Sequence, residues 1–63
     1  MVGKTGVAKT DIVPGRVGVV LAEHEFWSAV SEEHIKAGET VVILDVDGLT
    51  LKVRRHIPDE SGS

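Results

Sequence analysis

Thr40-Val41-Val42-Ile43-Leu44-Asp45-Val46-Asp47-Gly48-Leu49-Thr50-Leu51-Lys52-Val53 sets two apolar, β-branched runs on either side of an Asp-Gly pair. Asp-Gly supplies the positive-φ residues that a tight primed turn needs, so the stretch reads as a β-hairpin with its tip at Asp47-Gly48. The second run alternates cleanly: Leu49, Leu51 and Val53 face one way, and Thr50, Lys52 and Arg54 the other. The first run does not alternate, because Val41, Val42, Ile43 and Leu44 are consecutive. Three accounts fit it: cover on both faces by a loop of the chain itself, a bulge shifting the register near Leu44, or contact with an outside partner.

Working outward, strand-like stretches are expected over 4–12, 16–22 and 26–31, ahead of the hairpin strands 40–46 and 49–53. Pro14-Gly15 carries the signature of a type II turn, proline pre-setting φ at the first central position and glycine supplying positive φ at the second. Glu23-His24-Glu25 is the expected next turn, with a looser loop the alternative because it lacks glycine. Residues 32–39 are polar and end at Gly38, a connection with at most one helical turn, since eight residues do not sustain a helix alone. The domain is expected over 1–57, with 58–63 a disordered tail by composition. Five short strands with glycine-bearing ends suit an all-β, five-stranded OB-type barrel, and closure removes exposed sheet edges. In that barrel Trp27, Ala29, Leu49, Leu51 and Val53 turn inward together.

Sixty-three residues make one domain at most, and a chain of that size buries only about 60% of its unfolded surface. There is no cysteine for a disulfide or thiolate metal site, so the core comes from the apolar 41%, chiefly Val, Ile and Leu. Ten acidic against seven basic residues leave a net charge of −3, a poor footing for nucleic-acid binding, which draws most of its affinity from a basic stripe. No run of 18 apolar residues and no charged-then-apolar leader occurs, so neither a membrane span nor a secretory signal is expected within this chain.

Nothing in the sequence carries chemistry. No serine sits in a Gly-x-Ser-x-Gly elbow, and Ser31-Glu32-Glu33-His34 is too tightly spaced to orient nucleophile, base and orienter around one atom. His24, His34 and His56 lie far apart without a ligand-pair spacing, so no metal is expected. Gly3-Lys4-Thr5 lacks the glycine spacing of a phosphate loop, and no cofactor is implied. A lipoyl- or biotinyl-type carrier needs a lysine at its hairpin tip, and Asp47-Gly48 has none. Trp27 reads as core or rim packing. Its neighbour Phe26 should point outward, and Lys52, Arg54 and Arg55 form the one basic concentration. The expected surface for a partner is therefore Phe26, Val42, Thr50, Lys52 and Arg54.

The ordered set Gly3-x-x-Gly6-x-Ala8-x-Thr10-Asp11-Ile12-x-Pro14-Gly15-x-Val17, Trp27-x-Ala29-x-Ser31, Ile35-x-x-Gly38 and Val46-x-Gly48-Leu49-x-Leu51-x-Val53 resembles the soluble C-terminal domain of the NfeD family. The resemblance runs from about residue 2 to 53. It implies an OB-fold barrel and a non-enzymatic interaction module linked with stomatin/prohibitin-type membrane proteins and membrane protein quality control. Such proteins usually carry transmembrane helices ahead of this domain, and long members add a serine protease domain. Membrane attachment would come through segments this chain lacks; a free-standing form would be cytoplasmic. A homo-oligomer remains open. One departure is Ala22-Glu23-His24-Glu25, where the family usually turns with a glycine-containing pair and this loop reads as longer. The alternative function is a nucleic-acid-binding OB domain, working by base stacking over a basic groove.

Overall fold

β1 (Thr5–Ala8), β2 (Gly18–Ala22), β3 (Glu25–Val30), β4 (Thr40–Asp47) and β5 (Thr50–Arg55) make up the regular structure. The computed structural model describes residues 2–56; the expected tail at 58–63 and the boundary at 57 lie outside them. Among the described residues there is no helix long and apolar enough to cross a membrane. The strands close in the order β1-β2-β3-β5-β4, with β4 returning to pair with β1. Every pairing is antiparallel except β3 with β5. This is the expected all-β barrel of OB type.

Alternation sorts the side chains. Ile12, Val20, Ile35, Val41, Ile43 and Leu51 are fully buried and fill the interior with Ala8, Ala29 and Val53. Trp27 faces inward opposite Val20, is half-buried, and packs on this cluster while its Nε1 donates to the carbonyl of Ala22 at 3.2 Å. Gly6 sits on the inward side of β1 opposite Val41. A Cβ there would lie 2.8 Å from the Leu21 carbonyl oxygen and 2.9 Å from Val20 Cγ1, so this glycine lets β1 press against β2.

Several expectations need correction. The hairpin pairs Asp47 with Thr50, so its tip is Gly48-Leu49 rather than Asp47-Gly48. Gly48, at φ +65°, takes the first central position, as a II′-type turn asks. Leu49 is consequently 80% exposed at the tip and does not join Ala29, Leu51 and Val53 inside. In β4 a bulge falls between Ile43 and Asp45, which pair with Val53 and Lys52, and Leu44 is the extra residue. The bulge accounts for the unbroken apolar run: Val41 and Ile43 point in before it, and Val46 points in opposite Leu51 after it.

The first strand is also shorter than expected, ending at Ala8, and Ile12 instead forms an isolated antiparallel bridge with Ile35. Their backbones exchange two 2.7 Å hydrogen bonds. Over 32–39 the chain bends at Glu32-Glu33, buries Ile35 in its bridge to Ile12 and turns at Ala37-Gly38, without a helix. The turn expected after Ala22 is there, but as two residues, Glu23-His24, with Glu25 already in β3, and the alternative of a longer, looser loop falls. Both turn residues have positive φ, +52° and +68°. Pro14-Gly15 behaves as expected: Arg16 N donates to the Val13 carbonyl at 3.1 Å, with Gly15 at φ +84°.

Candidate functional site

Cross-strand pairing decides which side chains share the outside of the barrel. Val42 on β4 lies opposite Arg54 on β5 and, on its other side, Thr5 on β1. Lys52 stands between Asp45 and Val30, and Thr50 between Asp47 and Ser28. Val42, Arg54, Lys52 and Thr50 thus form one outward stripe along β4 and β5. Phe26 lies on the outside of β3, two residues from Ser28, and is 69% exposed. Its direct neighbour is Leu21, which in turn faces Val7 on β1. The structure therefore gathers four of the five residues and sets Phe26 at the head of a separate apolar row, Val7–Leu21–Phe26.

Beyond the pair Val30–Lys52, β3 leaves β5 while β5 continues to Arg55. The opening is bordered by the Ser31–Glu33 segment and by the turn around Gly15, leaving a groove of about 720 Å³ across the outer side of β5. Arg16, Val17, Val30, Leu44, Lys52 and Arg54 are among the residues that line it. The turn beside it is held by Ser31 Oγ, which accepts from Glu33 N at 2.9 Å, and by Glu33 Oε1, which accepts from Arg55 N at 3.0 Å. Arg16, Val17 and Leu44 were not among the expected surface residues. Leu44 had a signal in the sequence, as the surplus member of an apolar run; Val17 and Arg16 had none, since only the fold brings their turn beside β5.

The charged pairs lie elsewhere: Lys4 with Glu23 and Arg55 with Glu39, each at 3.8 Å and solvent-facing. Such pairs contribute little to stability. His24, His34 and His56 are all exposed, in the β2–β3 turn, in the β3–β4 connection and after β5. Among the described residues no three His, Asp or Glu side chains come together in a way that would hold a metal ion. Gly3, in the stretch that echoes a phosphate loop, extends the ladder beside β4, its N donating to the Ile43 carbonyl at 2.8 Å.

Residues 1–55 match the NfeD-like C-terminal, partner-binding domain. The uncharacterized protein MJ0826 of Methanocaldococcus jannaschii is 35% identical over 54 residues, which cover 86% of this chain and 39% of that protein. The chain thus spans well under half of that relative. Among solved structures, the C-terminal domain of stomatin operon partner protein 1510-C from Pyrococcus horikoshii superposes with a TM-score of 0.81 at 33% identity, over 92% of this chain and 91% of that one. The soluble domain of a Corynebacterium glutamicum membrane protein implicated in regulation of membrane protease activity follows at 0.80 and 27%, covering 89% and 92%. The soluble domain of the NfeD protein YuaF from Bacillus subtilis does so at 0.80 and 31%, covering 89% and 74%. With the family match running over residues 1–55 and solved barrels of the same kind superposing on nearly all of the chain, this chain belongs to the NfeD-like C-terminal, partner-binding domains.

Proposed function

We propose that this chain is a non-enzymatic docking module that binds a stomatin/prohibitin-type membrane protein, serving membrane protein quality control as part of a longer, membrane-attached protein. The observation that carries the reading is the outward stripe of Val42, Arg54, Lys52 and Thr50, continuous across two paired strands. The family's partner-binding description and the stomatin operon partner among the similar structures support the class of partner. Among the described residues Ser31 is engaged in its own turn and the histidines stand apart in solvent, which fits binding better than a reaction. A nucleic-acid role is poorly served by a net charge of −3 and a single strongly exposed aromatic, Phe26.

The test is an NMR titration of the isotope-labelled chain with the soluble domain of a stomatin-family protein. Resonances of Val42, Thr50, Lys52 and Arg54 should shift, and Phe26 should mark whether the contact extends onto β3. A barrel whose outer resonances stay still at millimolar partner would remove the proposal.

A further inference from the structure

The groove over β5 has a chemistry of its own. Val17, 65% exposed, and Leu44, 47% exposed, both line it, together with the half-buried Val30. Large exposed apolar side chains gathered in one depression are unusual on a small soluble surface and mark binding sites. Around them stand Arg16, Lys52 and Arg54, three of the seven basic residues in a chain of net charge −3. Among the described residues the ion pairs use Lys4 and Arg55, so none of these three has a carboxylate within 4.0 Å. Of the two acidic residues in the lining, Glu33 already accepts a hydrogen bond from the Arg55 backbone, which leaves Glu32 as the uncommitted carboxylate.

We propose that this groove seats a linear segment of the partner in which apolar side chains are interspersed with Asp or Glu. The inference rests on the docking role and adds to it the chemistry of what is recognised. Leucine- or valine-sized side chains fill the space between Val17 and Leu44, while acidic neighbours meet Arg16, Lys52 and Arg54. The contact is made chiefly through side chains, because β5 is paired on both sides over Thr50–Lys52, and beyond that Arg55 N already donates to Glu33 Oε1. A bilayer fits less well, because a flat surface does not follow a depression into which Val17, Val30 and Leu44 all open. Nucleic acid fits less well too, since no aromatic lines the groove to stack a base.

The experiment is a titration of the labelled 63-residue chain with a synthetic twelve-residue peptide alternating Leu and Glu, beside a control alternating Leu and Lys. The expected result is shifts at Val17, Val30, Leu44, Lys52 and Arg54, with a Kd between about 10 μM and 1 mM and binding of the Lys peptide weaker by about tenfold or more. Leu44→Asp, and independently Val17→Asp, should each weaken the acidic peptide by about tenfold without lowering the melting temperature, whereas Phe26→Asp leaves its affinity unchanged. The proposal falls if no shifts appear up to about 1 mM, if the Lys peptide binds equally well, or if phosphatidylserine vesicles shift the same residues more strongly. Titrating the same variants with a stomatin-family soluble domain separates the two readings. Full binding of that domain by Leu44→Asp and Val17→Asp sinks the groove and leaves the docking role; binding of the acidic peptide without the domain does the reverse.

Discussion

Glu23 and His24 make a two-residue hairpin turn in a conformation that glycine and asparagine adopt far more readily. Non-glycine residues in the left-handed region cost about 1–2 kcal/mol each. The ladder from Gly18–Ala29 to Ala22–Glu25 imposes this geometry, with Ala22 buried at the last pair. Replacing the turn by Glu23→Asn with His24→Gly should therefore raise stability by about 1 kcal/mol, measured by urea unfolding, with the β2–β3 pairing unchanged by NMR. The opposite sign is expected at Gly6, where no room exists beside the Leu21 carbonyl and Val20. Gly6→Ala should lower the unfolding free energy by roughly 1–3 kcal/mol in the same assay, because the obstructing atoms include backbone.

At the scale of elements, β4 shows how register is chosen. A turn at Asp47-Gly48 with an unbulged ladder would set Val46 opposite Leu49 and send Val42 and Leu44 inward. The tip at Gly48-Leu49 together with the bulge sends Val41, Ile43 and Val46 inward instead. A one-residue slip exchanges the two faces of a strand, and here the other neighbour arbitrates. β1 pairs the inward-facing Gly6 with Val41, which fixes Val41 on the inside. Two adjacent residues with similar side chains should then respond very differently to truncation. Ile43→Ala is expected to cost about 2–5 kcal/mol, enough to leave so small a domain largely unfolded. Leu44→Ala should stay within about 0.5 kcal/mol. Thermal melts of the two variants side by side check the bulge directly, and equal losses would contradict it.

For the whole molecule, closing the barrel turns a sheet with two faces into an inside and an outside. The inside is apolar and small, and the charged side chains among the described residues all lie outside. Lys52 and Arg54 are surface cations without carboxylate partners among the described residues, so they govern association more than folding. Lys52→Glu with Arg54→Glu should leave the melting temperature nearly unchanged, slow binding of a stomatin-family domain by roughly tenfold at low salt, and flatten the salt dependence of the on-rate. Stopped-flow mixing across ionic strength measures all of this. An unchanged rate would place the contact elsewhere on the barrel.

Local chemistry alone determined a good deal of this protein. Alternation in Leu51-Lys52-Val53, the Pro14-Gly15 turn, and the lack of a Gly-x-Ser-x-Gly elbow, of cysteine and of a His ligand-pair spacing are each visible in the order of residues. The apolar excess at Val41–Leu44 was visible too, as an ambiguity among three causes. Tertiary structure decided between them, and also decided where the hairpin turns, why Leu49 lies outside and why Ile35 lies inside. Those choices depend on pairing with β1, β3 and Ile12, partners tens of residues away in sequence. The groove belongs to the same class: Arg16, Val17, Leu44 and Arg54 become neighbours only when the barrel closes, because closure alone brings the Pro14-Gly15 turn against β5.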